Sequence, residues 1–274
     1  MMNNNTMRYV RPRQYINPKE KEIISRLSYE KASIIAREKI QQWFKYPKTT
    51  LDKTISRLIK KGILKVIKKG VYFYSPLDSG PAGSNINEFL IPPILFPKGN
   101  YYIGYTNMFN YYGLLEQISQ TMYILNTSLQ KQKYIGNILF KLVKVSPNRM
   151  YGINEITIKN SKVKVSDREK TIIDMIYFPD PVGGLKAAFD LLCEQINRNK
   201  IDVKILVKYA LLFPSISIRK RIGFILDKCK ISNNILDPLV KSVRNTSLIT
   251  LYGSKSRKGE INNKWKVIID AAQK

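Results

Sequence analysis

The sequence contains no histidine among its 274 residues. That absence excludes Ser-His-Asp and Cys-His nucleophile pairs, imidazole general bases and mixed Cys/His zinc sites. Cysteine is nearly absent too. Cys193 and Cys229 lie outside any C-x-x-C, are too few for a disulfide framework, and read as two small core thiols in a reducing cytosol. Long apolar runs are missing: residues 89–96 form the longest, eight residues broken by Pro92 and Pro93, against the ~20 needed to span a bilayer. The polar start, residues 1–6, does not resemble a signal peptide, so a cytoplasmic protein without a membrane partner is expected. Acidic charge is scarce: 20 Asp and Glu stand against 47 Lys and Arg, a net charge of +27 that predicts attraction to polyanions.

The length and the 44% of hydrophobic residues suit two compact domains with real cores. The charge is unevenly placed. Residues 1–78 hold 18 basic and 6 acidic residues, and the remainder holds 29 and 14, so the first segment is about twice as basic per residue. After a polar leader with Arg8, Arg11 and Arg13, Pro18 marks a helix start, followed by Ile23, Ile24 and Leu27 at helical spacing. Residues 34–44 read either as one helix or as a short strand and then a helix. A third piece opens at Thr49 with Asp52 three residues on, which resembles a capping box. Its stripe of Leu51, Ile55, Leu58 and Ile59 ends at Gly62. Two β-prone runs, 63–66 and 71–74, flank Lys68-Lys69-Gly70 and predict a hairpin with a cationic tip. Three helices followed by a hairpin is the order of a winged helix-turn-helix.

The expected fold is therefore α+β. A winged helix-turn-helix covers 1–78, a linker or bridge covers 79–100, and a mixed α/β domain with a helical C-terminal half covers 101–274. Residues 76–84, with two prolines and two glycines, are the expected boundary loop. In the second domain a helix is expected over 106–117, strands near 121–126, 135–145 and 155–165, and a helix over 167–177. Further helices are expected over 185–197, 203–213, 216–229 and 234–243, with late strands around 248–252 and 265–269.

On the third helix, Thr50, Lys53, Thr54, Arg57 and Lys61 read as a row of donors free of acidic groups. In a major groove Arg57 would donate to guanine edges, Lys53 to bases or phosphates, and the two threonine hydroxyls to either. Lys61 and, at the wing tip, Lys68 and Lys69 would meet phosphates. A basic helix face is also ordinary solvated surface; the element order and the local charge density favour double-stranded DNA. Other motifs favour plain structural roles. Asp167, Glu169 and Asp174 fit helix capping from Ser166 and ion pairing better than a metal site. Glu155-Ile156-Thr157-Ile158-Lys159 lacks the spacing of a nuclease motif. Gly253 to Gly259 lacks that of a phosphate loop and reads as a basic loop. No catalytic residue, metal or cofactor is expected.

Through Lys60-Lys61-Gly62-Ile63-Leu64 with Lys69-Gly70-Val71-Tyr72, and Tyr101-Tyr102-Ile103-Gly104-Tyr105 with Tyr112-Gly113-Leu114, the chain resembles the AbiEi-type antitoxins of bacterial and archaeal abortive-infection systems. Further on come Lys162 through Asp174, carrying Val165-Ser166-Asp167-Arg168-Glu169-Lys170-Thr171-Ile172-Ile173-Asp174, then Pro179, Gly183-Gly184, and Arg221 through Leu226. Tyr112 stands where that family often has His, and Lys170 where Arg is common; an aromatic and a cation are kept. The resemblance implies a DNA-binding antitoxin that represses its own promoter at inverted repeats. It also implies a partner, a nucleotidyltransferase-like toxin encoded next door, with no short motif fixing the neutralising residues. The alternative is a stand-alone winged-helix transcription factor whose second domain senses a ligand or mediates assembly.

Overall fold

A computed structural model describes residues 15–76, 87–117 and 119–270. The chain is a mixed α+β protein that divides into two compact units, 1–86 and 87–274, each with its own hydrophobic core. The leader arginines Arg8, Arg11 and Arg13 and residues 77–84 of the expected boundary loop lie outside the described residues. No helix among the described residues is long and apolar enough to cross a membrane.

The first unit runs α1 (Pro18–Tyr29), β1 (Ile34–Ala36), α2 (Arg37–Trp43), α3 (Lys48–Lys60), β2 (Leu64–Lys68) and β3 (Val71–Tyr74). Asn17 and Glu20 form a reciprocal capping box around Pro18, which fixes the start of α1. Residues 34–44 resolve into a strand and then a helix, because Ile34 to Ala36 pair antiparallel with Phe73 to Val71. The sheet order is β1-β3-β2, antiparallel throughout. Ile23, Leu27, Ile40, Leu51 and Leu58 meet beneath it with no measurable exposure. The capping box expected at Thr49 is absent: Pro47 precedes the first turn of α3, and Asp52 bonds Arg37 instead. At the other end Ile63 N donates to Leu58 O and Gly62 N to Ile59 O, a Schellman closure that uses the left-handed φ of Gly62, +75°.

The second unit is built on a six-stranded mixed sheet. After a 3-10 turn (Glu88–Leu90) and α4 (Ile91–Leu95) come β4 (Tyr101–Ile103), α5 (Thr106–Tyr111), β5 (Thr121–Asn126), β6 (Lys131–Ile135), β7 (Ile138–Lys144), β8 (Ile153–Ile158) and β9 (Ser161–Ser166). Their order is β6-β7-β5-β4-β9-β8. The helices follow: α6 (Arg168–Tyr177), α7 (Leu185–Asn197), α8 (Val203–Leu212), α9 (Ile216–Lys228) and α10 (Asn233–Val243). A small sheet of β10 (Ile249–Thr250), β12 (Val267–Asp270) and β11 (Gly259–Asn262), in that order, ends the described chain. Helix α6 is the centrepiece, with every residue from Lys170 to Ile176 buried.

Three expectations are corrected here. The helix from 106 stops at Tyr111, because Gly113 at φ +71° turns the chain after a single cap residue. The strand expected over 155–165 is two strands joined by Lys159-Asn160, both at positive φ (45° and 65°), as a primed two-residue turn requires. The N-cap of α6 is Asp167, which accepts from Lys170 N at 2.7 Å; neither Ser166 nor Glu169 takes part. Glu169 instead accepts the amide of Asp202, ahead of α8.

Candidate nucleic-acid interface

In the first unit, α2 and α3 are joined by a turn that several contacts fix. Pro47 presets the entry into α3. Phe44 and Tyr46 stack with ring centroids 5.4 Å apart, and Gln41 donates to Tyr46 O at 2.8 Å. The Tyr46 hydroxyl donates to Glu22 on α1, and desolvation together with that carboxylate pushes the phenol up to about 12. Arg37, the first residue of α2, ties three elements. Its amide donates to Gly70 O at the tip of the β2–β3 hairpin (2.8 Å) and its guanidinium to Asp52 on α3 (2.7 Å), a bond that raises the Arg37 pKa. Asp52 is the only acidic residue of α3, and it is paired with this cation.

The remaining exposed face of α3 carries Lys48, Thr49, Lys53, Ser56, Arg57 and Lys60. Among the described residues, Lys53, Ser56 and Arg57 make no side-chain hydrogen bond or ion pair, so their donors point to solvent. Across the helix, Leu51, Thr54, Ile55 and Leu58 are buried. Beyond α3 the β2–β3 hairpin presents Lys69 at an exposed tip next to Gly70, whose φ of +74° suits the turn.

The expected groove readers are therefore sorted. Lys53 and Arg57 stand on the exposed face, and Lys69 at the hairpin tip. Thr50 and Lys68 are half-buried, and Lys68 has a partner. Thr54 is 2% exposed and donates its hydroxyl back to Thr50 O at 2.9 Å, so it belongs to the core of the helix contact and not to a groove. Lys61 is committed to the fully buried carboxylate of Glu20 and to Tyr15 O, and so holds α3 to α1. Lys48, Thr49, Ser56 and Lys60 were not singled out from the sequence. Their signal was present: at about 100° per residue, the face opposite Leu51, Ile55 and Leu58 is centred near Lys53 and Lys60, about one residue step from the face chosen.

In the second unit, Tyr102, Arg149, Lys170 and Asp174 form a buried ionic cluster. The carboxylate of Asp174, with no exposure, accepts from Lys170 (2.7 Å), Arg149 (2.9 Å) and Tyr102 (3.1 Å). Burial is the largest single influence on Arg149 and lowers its pKa, but Asp174 together with Tyr105 and Tyr102 outweighs it and the net shift is upward. For Lys170 burial wins, and its pKa falls. The Arg149 guanidinium also stands 4.6 Å and 4.9 Å from the ring centroids of Tyr177 and Phe213. Nearby, Asp167 accepts from the Tyr209 hydroxyl at 2.8 Å, and Arg168 donates to Gln195 at 2.9 Å while lying 4.7 Å over the ring of Tyr112. Glu155 lies apart on β8 and pairs with Lys162 at 3.7 Å on the surface. The motif thus docks α6 onto the sheet and onto its neighbouring helices.

No protein-family model matches the chain, and no curated protein does. Among solved structures it is similar to the RV2827C protein from Mycobacterium tuberculosis, with a TM-score of 0.64 over 93% of this chain and 92% of that one. At 11% identity the likeness is one of fold.

Proposed function

We propose that this chain is a DNA-binding antitoxin and autorepressor whose first unit is a winged helix-turn-helix and whose second unit counteracts a nucleotidyltransferase-like toxin. The observation that carries the DNA half is the first unit's order α-β-α-α-β-β, in which β1 closes the β2–β3 hairpin into one sheet and α3 turns an exposed donor face outward. In that arrangement the second helix of the pair enters the major groove and the hairpin tip lies along the backbone. Lys53, Ser56 and Arg57 then face base edges, with Thr49 at the entry. Lys48, Lys60 and Lys69 meet phosphates, and Thr50 and Lys68 stay at the margin of the contact. The antitoxin half is supported by the resemblance through Ser166, Asp167, Arg168, Lys170 and Asp174, residues that organise the core of the second unit.

Two experiments test the halves separately. The chain should repress a reporter driven by the DNA immediately upstream of its own gene, and the double variant K53A/R57A should derepress it at unchanged protein level. Repression that survives the double variant would remove α3 as the reader. Co-expression with the neighbouring toxin gene should restore growth. Failure to rescue would leave a transcription factor without an antitoxin role.

A second reading, a regulator with a sensing or assembly domain, is favoured by one feature. A groove of about 490 Å³ between α8 and α10, lined by Val207, Leu211, Leu212, Ile235 and Pro238, is suited to an apolar ligand or helix.

A further inference from the structure

We infer that Cys193 and Cys229 form an intrachain disulfide site in the second unit, joining the middle of α7 to the end of α9. These are the only cysteines in the chain. They lie 36 residues apart, yet the fold brings Cys193 Sγ and Cys229 Sγ to 2.7 Å. Cys193 follows the buried Leu192 in α7, while Cys229 is the C-cap of α9, its amide bonded to Ile225 O. Both residues are half-buried. Both side chains pack against the core of the second unit, where two small core thiols are expected.

The pair lacks the partners of a metal site. The chain has no histidine, and among the described residues no group of three or more metal-ligating Cys, Asp or Glu side chains forms. What two adjacent thiols do is exchange with a low-molecular-weight disulfide such as oxidised glutathione. Either thiol of the pair can enter, Cys193 being taken first. Its thiolate attacks one glutathione sulfur and expels a glutathione thiolate. Cys229 gives its proton to that thiolate and attacks Cys193 Sγ, forming the intrachain bond and expelling the second glutathione, which takes up the proton released by Cys193. Two electrons pass from the two cysteines to oxidised glutathione, which leaves as two thiols. The bond closes a loop that contains α8 and the whole of α9, and so limits how far α7 and α9 separate on unfolding. The first unit has no cysteine and is untouched.

The test uses the full chain at neutral pH with excess oxidised glutathione, quenched with N-ethylmaleimide and mapped by peptide mass spectrometry without reduction. The expected product is a single cross-linked pair of peptides containing Cys193 and Cys229, with no retained glutathione and a melting temperature raised by roughly 5–10 °C. In C229S the reaction should stop at a glutathione adduct on Cys193. Two maleimide-labelled thiols in the oxidised native chain, or separate glutathione adducts on both cysteines, would overturn the site.

Discussion

Arg57 and Thr54 lie on the same helix three residues apart and differ in what surrounds them. Arg57 is exposed without a side-chain partner among the described residues, whereas the Thr54 hydroxyl is spent inside its own helix. Arg57→Ala should therefore weaken binding to the upstream DNA by about 1–3 kcal/mol while changing scrambled DNA much less. Thr54→Val, which keeps shape and removes the hydroxyl, should leave both affinities unchanged in the same titrations. An equal loss for the two variants would mean that the helix presents another face. Lys61 makes the opposite case, a cation that sequence reasoning assigns to DNA and the fold assigns to Glu20. Lys61→Ala strands a fully buried carboxylate, so we expect a loss of about 3 kcal/mol in urea unfolding, with DNA affinity of the folded protein little altered. Unchanged stability with weakened binding would return Lys61 to the phosphate backbone.

At the scale of elements, close packing fixes α9 against the small C-terminal sheet. A Cβ at Gly223 would come within 2.0 Å of the buried Trp265 ring, whose indole N–H donates to Asp227 on the same helix at 2.8 Å. Gly223→Ala should cost about 3 kcal/mol by overpacking, despite alanine's better helix propensity, and should blue- or red-shift Trp265 emission as the ring moves. A stabilised variant would show that the ring yields freely. Elements with strong apolar periodicity were legible in the sequence: α1, α3, α7, α8, α9 and α10 all lie within a residue or two of where their stripes place them. Elements whose identity depends on a partner strand were not. β6 reads Lys-Gln-Lys-Tyr-Ile because it is the edge of its sheet, where exposed positions carry charge, and no alternation marks it. The break between β8 and β9 rests on Lys159-Asn160 adopting positive φ, which sequence patterning favours chiefly for Asn-Gly or Asp-Gly. The exposed face of α3 was half legible for a related reason: a threonine looks polar in a sequence, yet Thr54 is part of the core once its hydroxyl is satisfied by Thr50 O.

Over the whole molecule, both units hold tyrosines in their neutral form, half-buried at Tyr46 and Tyr112 and buried at Tyr105. Tyr46 in the first unit and Tyr105 and Tyr112 in the second are each pushed up to about 12, desolvation being the largest cause. In the unfolded chain these phenols ionise near 10, so between about pH 10 and 12 the unfolded state releases protons that the folded state retains. Stability contributed by the neutral phenols is thus complete below pH 10 and is lost as pH rises toward 12. Melting temperature should fall steeply over that window, in step with tyrosinate absorbance; a flat profile would contradict these environments. Charge acts on the same scale. On the proposed function, the net +27 would supply affinity for any duplex and a steep dependence on salt, whereas sequence preference would have to come from α3. The most direct measurement is therefore fluorescence anisotropy of the full chain on DNA from immediately upstream of its own gene, beside a scrambled duplex of equal length, across a salt series. We expect the upstream duplex to bind at least about 10³-fold tighter at physiological salt. Equal affinity for both, falling together as salt rises, would contradict a sequence-reading helix and leave the charge as a source of non-specific binding alone.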